Sequence, residues 1–77
     1  MKRLSFENLS IREKASLIYA FGEYMLSVNH GAYAVSLYAM NSIFVEVYLN
    51  PETKQIDRIT IATSKDLDKF LERIKLL

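Results

Sequence analysis

Residues 36–49 constrain the fold more than any other stretch, because their apolar side chains alternate along two runs joined by a short polar break. β-Branched and aromatic residues at every second position predict a β-hairpin. A three-residue turn at residues 40–42 would place Leu37 opposite Val45 and make one face wholly aliphatic. A two-residue turn would place Leu37 opposite Glu46 and mix the two faces. Since a one-residue slip turns every side chain to the other face, the pattern favours the three-residue turn.

The second face of this hairpin is rich in large aromatic side chains. A third strand, predicted over residues 56–62, would place Arg58 opposite Tyr48, Thr60 opposite Glu46, Ile59 opposite Val47 and Ile61 opposite Val45. A solvated sheet face rarely carries so many aromatics, and the cores of protein interfaces are enriched in Tyr, Phe, Met and Arg. The sequence therefore predicts an interaction surface made of Tyr38, Met40, Phe44, Glu46, Tyr48 and Arg58.

Two helices are predicted on either side of the strands. The first begins at Ser10, which forms a capping-box pattern with Glu13. It would run to residues 29–31, with Gly31 as the left-handed residue beyond its last turn and His30 near its carboxyl end. Tyr19 and Leu26, at the margin of its apolar face, are candidates for contacts outside the core. The second helix begins near Thr63 or Ser64, and its apolar positions have helical spacing: Leu67, Phe70, Leu71, Ile74 and Leu77.

This order predicts one α+β domain over residues 1–77, with an α-β-β-β-α arrangement and a three-stranded antiparallel meander. Both helices are expected to cover the aliphatic face, which makes a two-layer sandwich and leaves the aromatic face open. Residues 1–9 would form an extended or loosely turned lead-in that lays Leu4, Phe6 and Leu9 over the core.

Composition narrows the function classes. The chain of 77 residues contains no cysteine, which excludes disulfides and thiolate chemistry, and its net charge is +1. So small a charge does not imply strong binding to a phosphate backbone. No apolar run approaches a membrane span, and the N-terminus turns acidic before a signal peptide could form. A cytoplasmic protein without a membrane partner is expected.

Catalysis finds little support in the residues. His30 is the one histidine, and no Ser, Cys or carboxylate is placed to form a triad with it. Glu46 on an aromatic face could be a carboxylate with a raised pKa, but an exposed strand residue near Arg58 is the favoured reading. The two glycines fit no phosphate-binding loop. We therefore expect neither an enzyme, nor a metal site, nor a cofactor.

The run from Val35 to Asn50 resembles one found in short, uncharacterised bacterial proteins, a domain-of-unknown-function family. Residues 56–59 and the helical segment from Leu67 to Ile74 are similar as well. The resemblance extends from the first helix to the end of the chain. It implies the same order of elements and carries no catalytic residue with it.

The function predicted from these observations is that of a small interaction module without catalysis of its own. It would form a homodimer, or bind a protein partner, through the aromatic face. The alternative is a nucleic-acid-binding accessory protein, since tyrosines on a sheet can stack bases. An enzyme or small-ligand binder centred on Glu46 is the third reading.

Overall fold

A four-stranded antiparallel sheet organises the chain in our computed structural model, which describes residues 3–71 and, from residue 5 onward, their side chains. The α+β class and the antiparallel sheet are confirmed, but the sheet has four strands where three were predicted. Its strands lie side by side in the same order as along the chain. The elements are α1 (Arg3–Glu7), α2 (Ile11–Phe21), β1 (Glu23–His30), β2 (Tyr33–Met40), β3 (Ile43–Asn50), β4 (Gln55–Ile61) and a 3-10 segment (Asp66–Phe70).

The first predicted helix is too long, because α2 ends at Phe21 and the chain continues as β1. The Ser10–Glu13 capping box at its start is present as predicted. At its end the Gly22 N–H donates to the Ile18 carbonyl across 2.7 Å, while the Gly22 backbone is already extended. A Cβ on Gly22 would lie only 2.7 Å from that same oxygen. Glycine is therefore what allows the chain to leave the helix so tightly.

Gly31 serves a turn between strands and not the end of a helix. Its φ of +62° sits at the first central position of a two-residue turn between β1 and β2. Glycine at that position is typical of a tight hairpin whose twist matches the flanking strands. His30 consequently lies at the end of a strand, opposite Tyr33, and the prediction that it occupies a helix terminus is wrong.

The central hairpin closes with a two-residue turn, so the three-residue turn predicted for it is wrong. Asn41 and Ser42 both have positive φ, 46° and 68°, as a type I′ turn requires. Leu37 then lies opposite Glu46 and Tyr38 opposite Val45. The expected aliphatic pairing had assumed one buried face, whereas here both faces are covered, and Glu46 is buried with a lysine partner.

The pairing of β3 with β4 is as predicted. Arg58 lies opposite Tyr48, Thr60 opposite Glu46, and the two isoleucines opposite Val47 and Val45. Ile56 departs from this alternation. The register shifts between Tyr48 and Leu49, and this shift brings Ile56 opposite Leu49.

Helical segments lie on both faces of the sheet, which corrects the predicted two-layer sandwich. On one face, which we call the helix side, α1 and α2 cover Met40, Val45, Ile59 and Ile61. The lead-in is thus helical in part, and its Phe6 is fully buried there. On the other face, which we call the C-terminal side, Phe70 and Leu67 of the 3-10 segment pack against Leu26, Val35, Leu37 and Tyr48. Ile74 and Leu77 of the predicted last helix lie outside the described residues.

Candidate interaction surface

The helix side of the sheet is only partly covered, and an open groove runs beside α2. The groove has a volume of about 380 Å³ and is mostly apolar. Its walls come from α2 on one side and from all four strands on the other. The lining residues are Ala15, Ile18, Tyr19, Gly22, Tyr24, Tyr38, Val47, Ile56 and Ile59.

Three tyrosines and one isoleucine form the exposed part of this groove. Tyr19 on α2 is 94% exposed, and Tyr24 on β1 is 55% exposed. The rings of Tyr24 and Tyr38 meet edge to face, with their centroids 5.6 Å apart. Ile56 on β4 is exposed as well. We call Tyr19, Tyr24, Tyr38 and Ile56 the tyrosine surface.

Hydroxyl groups hold Tyr24 in this position. The Tyr24 hydroxyl lies 2.8 Å from Ser27 Oγ, which in turn lies 2.8 Å from Ser36 Oγ on the neighbouring strand. Together with the ring contact to Tyr38, these hydrogen bonds favour the observed orientation of the Tyr24 side chain. A preoriented aromatic side chain loses less conformational entropy when a partner binds it.

The six residues predicted as one interaction surface lie on two faces of the sheet. Tyr38 and Met40 belong to the helix side, whereas Phe44, Glu46, Tyr48 and Arg58 belong to the C-terminal side. The turn explains the separation. A two-residue turn shifts β2 by one position relative to the predicted pairing, and that shift moves all β2 side chains to the opposite face.

The C-terminal side is also largely covered, so the predicted open aromatic face is wrong. Tyr48 and Glu46 are buried beneath the 3-10 segment, and Met40 is buried under the helices. Phe44 stays partly exposed. Arg58 is exposed, and its guanidinium carbon lies 4.0 Å from the centre of the Tyr48 ring. This cation–π contact follows from the pairing of Arg58 with Tyr48 across the two strands.

Glu46 takes part in a buried polar cluster. Its Oε2 accepts a hydrogen bond from Lys69 Nζ at 2.5 Å, and its Oε1 accepts one from the Tyr48 hydroxyl at 3.3 Å. Lys69 also donates to the Asp66 carbonyl. Burial by itself lowers the pKa of Lys69, but the hydrogen bond and charge of Glu46 outweigh it and raise that pKa. A carboxylate held in this way anchors the 3-10 segment.

His30 lies at the rim of a second, more polar hollow of about 550 Å³, between β1 and the 3-10 segment. Lys65, Asp66, Asp68 and Lys69 line the same hollow. Among residues 3–71, no three His, Asp or Glu side chains gather closely enough to hold a metal ion. Nor is any described helix long and apolar enough to span a membrane.

The two edges of the sheet differ in their protection. At the β4 edge, Lys14 Nζ donates to the Ile59 carbonyl at 2.8 Å and lies 5.5 Å from the centre of the Phe6 ring. A lysine bound to an edge carbonyl blocks pairing with another strand. The other edge of the described sheet is β1, which has neither lysine nor proline; its acidic residue and its histidine are its two end residues, Glu23 and His30.

Sequence reasoning found part of this site. Tyr19 was predicted to make contacts outside the core, and its side chain is almost fully exposed. Leu26, predicted with it, is buried instead. Tyr24 was missed because residues 23–30 had been assigned to a helix. The signal that could have found it is Gly22, at which the helical pattern can stop.

Comparisons with protein-family models, with curated proteins and with solved structures find no match for this chain. The resemblance to short bacterial proteins therefore stays an expectation.

Proposed function

We propose that this protein is a small interaction module that self-associates, using the tyrosine surface and not the predicted aromatic face. The observation that carries the proposal is the concentration of exposed large apolar side chains around one open groove. Tyr19, Tyr24 and Ile56 expose their side chains there, next to the half-buried Tyr38.

The physical argument rests on area and on residue type. A domain of this size buries only about 60% of the surface that its unfolded chain exposes, so burial against a partner adds appreciably to its stability. Contiguous exposed apolar patches on small proteins mark interaction sites. Tyrosine is enriched at the centres of interfaces, because its ring buries a large area and its hydroxyl can bind a polar group.

A second copy of the chain is the partner that we propose first. The net charge of +1 gives two copies almost no mutual repulsion. We include no catalytic step in the proposal, because Glu46, the carboxylate that suggested one, is engaged by Lys69 and Tyr48.

Nucleic-acid binding, the alternative from the sequence, would need cations beside the tyrosines. The nine residues that line the groove include neither Lys nor Arg. Base stacking without phosphate contacts lacks the electrostatic attraction to the phosphate backbone, and this attraction dominates affinity for single strands. Binding of a single-stranded oligonucleotide at low salt would nevertheless favour this alternative.

Sedimentation equilibrium over a range of concentrations tests the proposal. The wild-type chain should form a dimer whose dissociation constant rises at least about tenfold in Tyr19→Ala and in Tyr24→Ala, as expected for tyrosines at an interface centre. Ile11→Ala is the matched control, because Ile11 is also an exposed apolar residue of α2 but does not line the groove. A strict monomer at all concentrations, or an equal effect of the control, would contradict the proposal.

A further inference from the structure

The β1 strand carries an asymmetry that bears on how two copies meet. Glu23 and His30, its first and last residues, are seven positions apart, and regular alternation would put them on opposite faces. The register of β1 against β2 shifts between Tyr24 and Leu26, so that Met25 is an extra residue. This bulge turns Glu23 back onto the face that His30 shares.

The bulge also makes β1 symmetric about Ser27. Ser27 lies opposite Ser36 on β2, while Glu23 lies opposite Ala39 and His30 opposite Tyr33. Along β2, Ala39 and Tyr33 are each three positions from Ser36. Measured along the sheet, Glu23 and His30 are therefore equally distant from the centre of the strand.

From these two features we infer that β1 pairs antiparallel with β1 of a second copy, with Glu23 of each chain opposite His30 of the other. Antiparallel partners must share a face and be equally far from the two-fold axis, and the bulge satisfies both conditions for this pair. The inference rests on the proposed self-association; of the tyrosine surface it brings Tyr24 of each chain to the seam, while Ile56, on the β4 edge, lies away from it. It makes one continuous sheet of eight strands from two four-stranded sheets.

The other opposed pairs in this register are compatible as well. Leu26 of each chain would lie opposite Val28 of the second copy, on the C-terminal side, where both are apolar. Tyr24 would lie opposite Asn29 of the second copy, on the helix side. Because the two-fold axis is perpendicular to the sheet, the two tyrosine surfaces would lie side by side on one face.

Charge selects this register among the alternatives. Pairing over the full length of β1 sets a carboxylate against an imidazole at both ends, and a neutral or a protonated imidazole can donate a hydrogen bond to a carboxylate. Shifted registers shorten the ladder and leave both groups without this contact. The choice of edge follows from the Lys14–Ile59 hydrogen bond, which occupies a carbonyl of the opposite edge. The bulge in β1 limits pairing with a regular strand, and the two-fold register places the bulges of the two copies symmetrically.

A charge-swap cycle measured by sedimentation equilibrium tests the inference. His30→Glu puts like charges opposite each other twice in the symmetric dimer, and we expect the dissociation constant to rise about tenfold. Glu23→Lys removes both favourable contacts and should also weaken the dimer. The double variant Glu23→Lys/His30→Glu restores opposite charges and should return the dissociation constant to within about threefold of wild type.

The controls separate this inference from the proposed function. Glu52→Lys makes the same charge change in the exposed loop before β4, and it should leave the dimer unchanged. If the wild-type chain dimerises but the double variant is no tighter than the singles, the β1 pairing is wrong and self-association stands. If the wild-type chain is a monomer at all concentrations, both are wrong. Glu23 and His30 are both exposed, so the variants are expected to fold.

Discussion

Lys69 Nζ lies 2.5 Å from Glu46 Oε2, and this contact joins the 3-10 segment to the middle of the sheet. The carboxylate is 1% exposed, and Phe70, the next residue along the segment, is fully buried. The ion pair, together with Phe70 and Leu67, thus covers the face that the sequence predicted to be open.

Replacing one member of this pair should destabilise the fold more than replacing both. Lys69→Met leaves a buried carboxylate without its cation, and we expect the free energy of unfolding to fall by about 3 kcal/mol. Glu46→Leu/Lys69→Met removes both charges and should lose much less. Urea unfolding measures the difference, with Lys65→Met as the exposed-lysine control. Equal losses in the single and double variants would show that the ion pair does not hold the segment.

The same pair predicts how stability changes at alkaline pH. The pKa of Lys69 is raised above its ordinary value of 10.5, so the folded state holds this proton more tightly than the unfolded state. The resulting stabilisation is complete below pH 10.5 and is lost as the pH rises through the folded pKa. The difference in unfolding free energy between wild type and Lys69→Met should therefore shrink above that pH. If this difference stays constant to the alkaline end of the titration, the proton on Lys69 does not stabilise the folded state.

The turn between β2 and β3 holds two non-glycine residues at positive φ. Ser42 has a φ of 68°, and Asn41 precedes it at 46°. Because Asn-Gly is the preferred pair for this turn, Ser42→Gly should raise the free energy of unfolding by roughly 1 kcal/mol. Thermal or urea unfolding measures the gain. Glu52→Gly, at a loop residue without positive φ, is the control and should give no gain.

The start of the 3-10 segment predicts an acid-sensitive contribution. The Thr63 backbone N–H donates to Asp66 Oδ2 at 2.9 Å, and this hydrogen bond lowers the pKa of Asp66 below its ordinary value of 3.8. The stabilisation is present above pH 3.8 and is lost as the pH falls through the lower folded value. Asp66→Asn should flatten the acid limb of the unfolding profile. If the acid limb of the variant is unchanged, a group other than Asp66 causes the loss of stability at low pH.

Local patterns predicted the parts of the fold that depend on near neighbours. The capping box at Ser10 and Glu13 needs only four consecutive residues, and it is present. The pairing of β3 with β4 follows from the match of two short alternating runs, and it is present as well. The split of the candidate surface could not be predicted in the same way, because the register of β2 depends on whether a buried Glu46 has a partner 23 residues further along the chain.

The sequence by itself determined the α+β class, the antiparallel sheet and the apolar residues that cover it, because these follow from alternation and composition. Only the tertiary structure decided that residues 23–30 form a strand, since Tyr24 and Val28 suit a helix stripe as well as a strand, and the segment becomes a strand by pairing with β2. It also decided which aromatic residues face solvent. Both decisions depend on contacts between residues far apart in the chain.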